Sequence, residues 1–89
     1  MDVEIFPLIT SDDYPTFRQL LGDDVPDAYD EWRKLQTNEI RQFVQAGRST
    51  KEVPVNFHQF TNYLRARGAQ ANLVSLRNCT IEIDAGHSY

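Results

Sequence analysis

The sequence predicts a small, mainly α domain: four helices with one or two short extended or edge-strand segments. Three observations predict it. Apolar residues recur at three-to-four spacing in four stretches, Asp or Asn residues able to cap a helix precede them, and glycines at 22, 47 and 68 close the first three. At 89 residues the chain reads as one domain over 1–89, because a second would be too short to bury a useful core.

The first ten residues, MDVEIFPLIT, read as an extended N-terminal arm. Pro7 has no N–H to give to a central ladder, so a strand here, at 3–6, belongs at a sheet edge. The first helix, at 12–21, opens on Ser11, Asp12 and Asp13, whose oxygens can accept from free N–H groups and whose charge suits the positive end of the helix dipole. Pro15 is tolerated only in that first turn. Tyr14, Phe17, Leu20 and Leu21 form its apolar face, and Gly22 stops it.

Asp27 is the expected cap of a second helix at 27–46, with Asp30 and Glu31 in its first turn. Its apolar half carries Tyr29, Trp32, Leu35, Ile40, Phe43 and Val44. Residues 48–52 read as a polar connector, and 53–55 as a second short extended piece beside the arm. Asn56 and Gln59 have capping-box spacing, which starts a third helix at 57–67 with Phe57, Phe60, Tyr63 and Leu64 on one side. Asn72 caps a fourth, at 73–84, with Leu73, Leu76, Cys79, Thr80 and Ile83 on one face. A strand competes over 79–84, where Cys79, Ile81 and Ile83 alternate with Thr80, Glu82 and Asp84. The upstream cap and spacing favour the helix, and 85–89 are expected to fray. The expected core is Phe17, Leu20, Leu21, Trp32, Leu35, Ile40, Phe43, Phe60, Leu64, Leu73 and Leu76.

With 40% hydrophobic and 11% aromatic residues, the composition excludes a disordered chain. A single cysteine, Cys79, excludes an internal disulfide framework and a four-cysteine zinc site. The start is acidic, without the basic and apolar runs of a signal peptide, and no stretch nears the ~20 apolar residues of a membrane span. A cytoplasmic protein without a membrane partner is expected.

No catalytic, cofactor or metal residues are assigned. His58 has Thr61 and Asn62 where a chelating partner would stand, and His87 lies in the tail. The acids at 23, 24, 27, 30 and 31 lack the alternation and central glycine of a calcium loop. Cys79 falls on an apolar stripe without a base, and the four glycines form no phosphate-cradling loop.

Charge is divided along the chain. Residues 1–40 hold ten acids and three bases, residues 41–77 six bases and one acid, and the tail adds Glu82 and Asp84. Attraction between the two halves within one fold is expected to absorb most of this division.

The function expected is a non-catalytic protein-interaction or regulatory module, binding a protein partner or a second copy of itself as a homodimer. Its candidate contact is Val74, Arg77 and Ile81, on the side of the fourth helix away from the apolar stripe. The alternative is a nucleic-acid-binding module using Arg48, Lys51, Arg65, Arg67 and Arg77, since 57–77 has a helix-turn-helix outline. Leu64 and Arg67 stand where such a motif wants a small and an apolar residue. Leu73 and Val74 offer no hydrogen bonds to base edges, so nucleic acid is the less favoured partner.

Overall fold

The computed structural model describes residues 3–89. Within them the chain runs β1 (Val3–Leu8), α1 (Tyr14–Leu21), a single 3-10 turn (Gly22–Asp24), α2 (Tyr29–Gln45), β2 (Ser49–Pro54), α3 (Phe57–Arg67) and α4 (Leu73–Asp84). The mainly helical class and the four helices are as expected, and 79–84 is helix rather than strand.

The two extended pieces are longer than expected, and they pair with each other in parallel, Val3 opposite Ser49 through Leu8 opposite Pro54. Residues 49–52, expected as a connector, are therefore strand, and α1 and α2 form the crossover between the two strands. Val55 N–H donates to the Leu8 carbonyl at 3.1 Å. In a parallel ladder alternate residues turn both backbone groups to the same neighbour, so Glu4, Phe6 and Leu8 face β2. Val3, Ile5 and Pro7 face the other way. Pro7 and Pro54 both fall at outward positions, where a missing N–H interrupts nothing.

The sheet is held between helices. On one face Phe6 meets Phe43 of α2 edge-on at 5.8 Å, and Glu52 accepts from Arg33 and Gln36. On the other, α4 lies against both strands, and its Asp84 pairs with Lys51. Below the sheet's C-terminal end lies the core: Ile9, Tyr14, Phe17, Leu21, Val25, Trp32, Val55, Phe60, Tyr63, Leu76 and Cys79.

The expected core needs correcting. Phe17, Leu21, Trp32, Phe60 and Leu76 are buried, whereas Leu20, Leu35 and Leu73 are exposed and Ile40, Phe43 and Leu64 half-buried. The buried residues of α1 are Tyr14, Phe17 and Leu21, and those of α2 are Trp32 and Gln36. Leu20 and Leu35 each stand one residue, about 100°, off those lines. Gln36 takes the inward place because it has two acceptors there, the Pro7 carbonyl at 2.8 Å and Glu52 at 3.1 Å.

Two expected caps are also absent. Asp13 does not cap α1; its carboxylate accepts from the Phe57 N–H at 3.2 Å, tying the start of α3 to the start of α1. Asp27 does not cap α2; it pairs with Arg18. The Asn56–Gln59 capping box is formed, and Asn72 forms a second with Ser75, whose hydroxyl also donates to the Gln70 carbonyl.

Gly68 closes α3 in the left-handed region, at φ 60° and ψ 34°, with nothing within 4 Å of where a Cβ would stand. Gly68→Ala is therefore expected to cost about 1 kcal/mol from backbone strain alone. Asn72→Ala is expected to cost about as much through the lost cap. Urea titrations of the two variants check both values.

The segment 85–89, expected to fray, is held down. Tyr89 packs edge-on against Tyr63 at 5.5 Å, its carbonyl accepts from Asn62, and its hydroxyl donates to Glu82. The Tyr89 hydroxyl and the Arg67 guanidinium together hold the Glu82 carboxyl below its ordinary range.

Candidate functional site

A groove of about 290 Å³ runs along the unpaired edge of β1. Ile5, Phe6 and Pro7 form its floor. Alternation puts Ile5 and Phe6 on opposite faces of the strand, so a hollow touching both lies at the edge. One wall is α2, through Trp32, Leu35, Gln36 and Glu39; the other is α4, through Leu73, Leu76 and Arg77. Asp24, Val25 and Pro26 close one end.

Local sequence explains each part. Pro7 at an outward position leaves the edge with no N–H there, and Gln36 occupies its carbonyl. That leaves Ile5, and Val3 beside it, with backbone groups turned to the open side. Leu73 stands at the first turn of α4, directly after its Asn72 cap, where no preceding turn covers it. Leu35, one position off the buried line of α2, faces the groove instead of the sheet. Leu35 is 61% exposed and Leu73 46%, on opposite walls of one apolar floor.

The charges at the groove are unequal. Arg77 and Arg48 both pair with Glu4, which spends the one cation of the lining among the described residues. Asp24 and Glu39 have no ion-pair partner among the described residues. Among the described residues no histidine, cysteine, serine or lysine lines the groove; its ionisable groups are Asp24, Glu39 and Arg77.

Of the residues singled out for protein contact, Val74 is 69% exposed and Ile81 42%, while Arg77 lies in the groove wall. Val74 follows Leu73 just outside the rim. The sequence reading missed Leu35 and Leu73 because their apolar character assigned them to the core.

The five cations of the nucleic-acid alternative do not form one free patch. Arg48 and Arg77 pair with Glu4, Lys51 with Asp84 and Arg67 with Glu82; Arg65 donates to Asn62 at 3.3 Å. Glu4 thus joins the acidic N-terminal part to the basic middle of the chain, the internal attraction expected from the charge division.

Cys79 is fully buried, and burial pushes its thiol up to about 11, so at neutral pH it is a core residue in the thiol form. His58 is exposed, and His87 stacks on Tyr89 at 6.2 Å. Among the described residues no three His, Cys, Asp or Glu side chains converge as a metal site. No helix among them is long and apolar enough to cross a membrane. Compared with protein-family models, with curated proteins and with solved structures, the chain gives no match.

Proposed function

We propose that the chain is a non-catalytic protein-interaction module that docks a partner in the groove beside β1. The observation that carries this reading is the pair Leu35 and Leu73, exposed on opposite walls of an apolar floor. Exposed leucines scattered singly are ordinary; leucines gathered at a concave apolar surface with a charged rim mark contact sites. Val74, exposed next to Leu73, adds apolar surface beside the groove, while Ile81 lies outside its lining. A reducing compartment such as the cytoplasm is part of the proposal, since the single thiol is buried and unpaired.

The test is a two-hybrid selection of partners followed by binding measurements on each purified partner. The double variant Leu35→Glu, Leu73→Glu is expected to weaken binding at least tenfold. Val44→Glu, at a residue exposed on α2 outside the groove, is expected to leave it unchanged. Partners that hold the double variant as tightly as the parent, or the absence of any partner, would sink this reading.

A further inference from the structure

We infer that the occupant of the groove is an extended segment of another protein, added to β1 as a third strand, apolar at alternate positions and carrying a lysine or arginine. This rests on the interaction reading above and specifies its mode and chemistry.

The first argument is the backbone. Among the described residues β1 is paired on one side only, and Ile5 turns an N–H and a carbonyl to the other. An unpaired strand edge is a template for a further strand, and main-chain hydrogen bonds then supply affinity while alternate side chains supply specificity. The second argument is the walls. Helices cover both faces of the sheet, so a strand laid along β1 points successive side chains to opposite sides, toward Leu35 and Trp32 on α2 and toward Leu73 and Leu76 on α4. A helix inserted there would leave the Ile5 groups unpaired.

Charge supplies the third argument and selects the occupant. Asp24 and Glu39 line the groove without a cation, and Arg77 is already committed to Glu4, so the complement is a positively charged side chain. A second copy of this chain fits poorly. Antiparallel pairing about Ile5 would set Pro7, which has no N–H and whose carbonyl is taken by Gln36, opposite Val3 of the other copy. It would also bring both sets of Asp24 and Glu39 into one junction. A foreign strand can use the Ile5 and Val3 groups and stop short of Pro7.

The experiment pans the purified chain against a displayed library of random ten-residue peptides, then measures synthetic copies of the enriched ones by calorimetry. Enrichment of alternating apolar residues with a lysine or arginine is expected. Methylating the backbone nitrogen that meets Ile5 should weaken binding at least tenfold, and methylating the next nitrogen along should change it less than twofold. Asp24→Lys with Glu39→Lys should weaken binding at least fivefold, and Leu73→Glu at least tenfold.

No enrichment, enriched peptides that are acidic, or binding indifferent to backbone methylation at every position would each overturn the inference. So would a dimer in solution, measured by sedimentation at the same concentrations, that Leu35→Glu dissociates. If the strand mode fails while a purified partner still loses affinity on the Leu35→Glu, Leu73→Glu change, the interaction reading stands and only its mode falls.

Discussion

Phe60→Ala is expected to destabilise the protein by about 3–5 kcal/mol, the largest effect of any single truncation considered. Phe60 is fully buried and stacks on Phe17 at 5.6 Å with the rings 23° apart; Phe17 in turn meets Phe57 edge-on at 5.9 Å. Removing the ring deletes Phe17's stacking partner and leaves a cavity in the core that its neighbours fill only in part. A domain of this size has about 5–10 kcal/mol in total, so the variant should lie near its unfolding midpoint at room temperature. Urea titration followed by Trp32 fluorescence measures the loss. Leu20→Ala on the half-exposed side of α1 is the control, with an expected loss below about 1 kcal/mol. Equal losses for the two would mean that the core is not centred on the Phe17–Phe60 stack.

The second large effect is alkaline. Burial, and then the Glu82 carboxylate, raise the Cys79 thiol from 9.0 to about 11. The folded value lies above the unfolded one, so the thiol's contribution is whole below about pH 8.5 and is lost as the pH rises through the folded value. Two pH units of difference correspond to roughly 2–3 kcal/mol lost between about pH 9 and 11. Burial also raises the hydroxyls of Tyr14 and Tyr63, which steepens the loss toward the upper end of that window. Urea midpoints at pH 8, 9, 10 and 10.5 should fall steeply in the parent and less steeply in Cys79→Ala, which keeps only the tyrosine part. Parallel curves for the two would show that the thiol is not held protonated by the fold.

Elements governed by local chemistry were legible in the sequence. The three-to-four spacing located all four helices, and the Asn56–Gln59 and Asn72 caps were readable because a cap is satisfied within three residues. Asp13 and Asp27 misled the cap assignment because their partners, Phe57 and Arg18, come from elsewhere in the fold. The reading set 53–55 beside the arm, but the parallel register and the start of β2 at Ser49 were hidden for the same reason, since nothing near Val3 announces Ser49. A signal did exist: Ile5-Phe6-Pro7-Leu8 and Lys51-Glu52-Val53-Pro54 each carry a proline near the end of a strand-like run, at places the register nearly aligns.

Less of the candidate site could be read. Arg77 and Val74 were singled out from the two-sided character of α4, but Leu35 and Leu73 had been placed inside. Helical periodicity defines an apolar half-circle and not which edge of it meets the neighbouring element. In α2 the sheet took the side bearing Gln36, a polar residue that no apolar pattern selects. The groove exists because of that choice.

The parallel register has a kinetic meaning as well. Val3 finds Ser49 only after the intervening chain has gathered, and the cost of closing so long a loop falls due before the contact returns anything. Helices can form locally on a faster clock, so assembly of this protein is timed by the meeting of its two strands. Until they meet, Ile5 and Phe6 lie uncovered, and the stretch most prone to stick to other chains during folding is the one that later forms the floor of the groove.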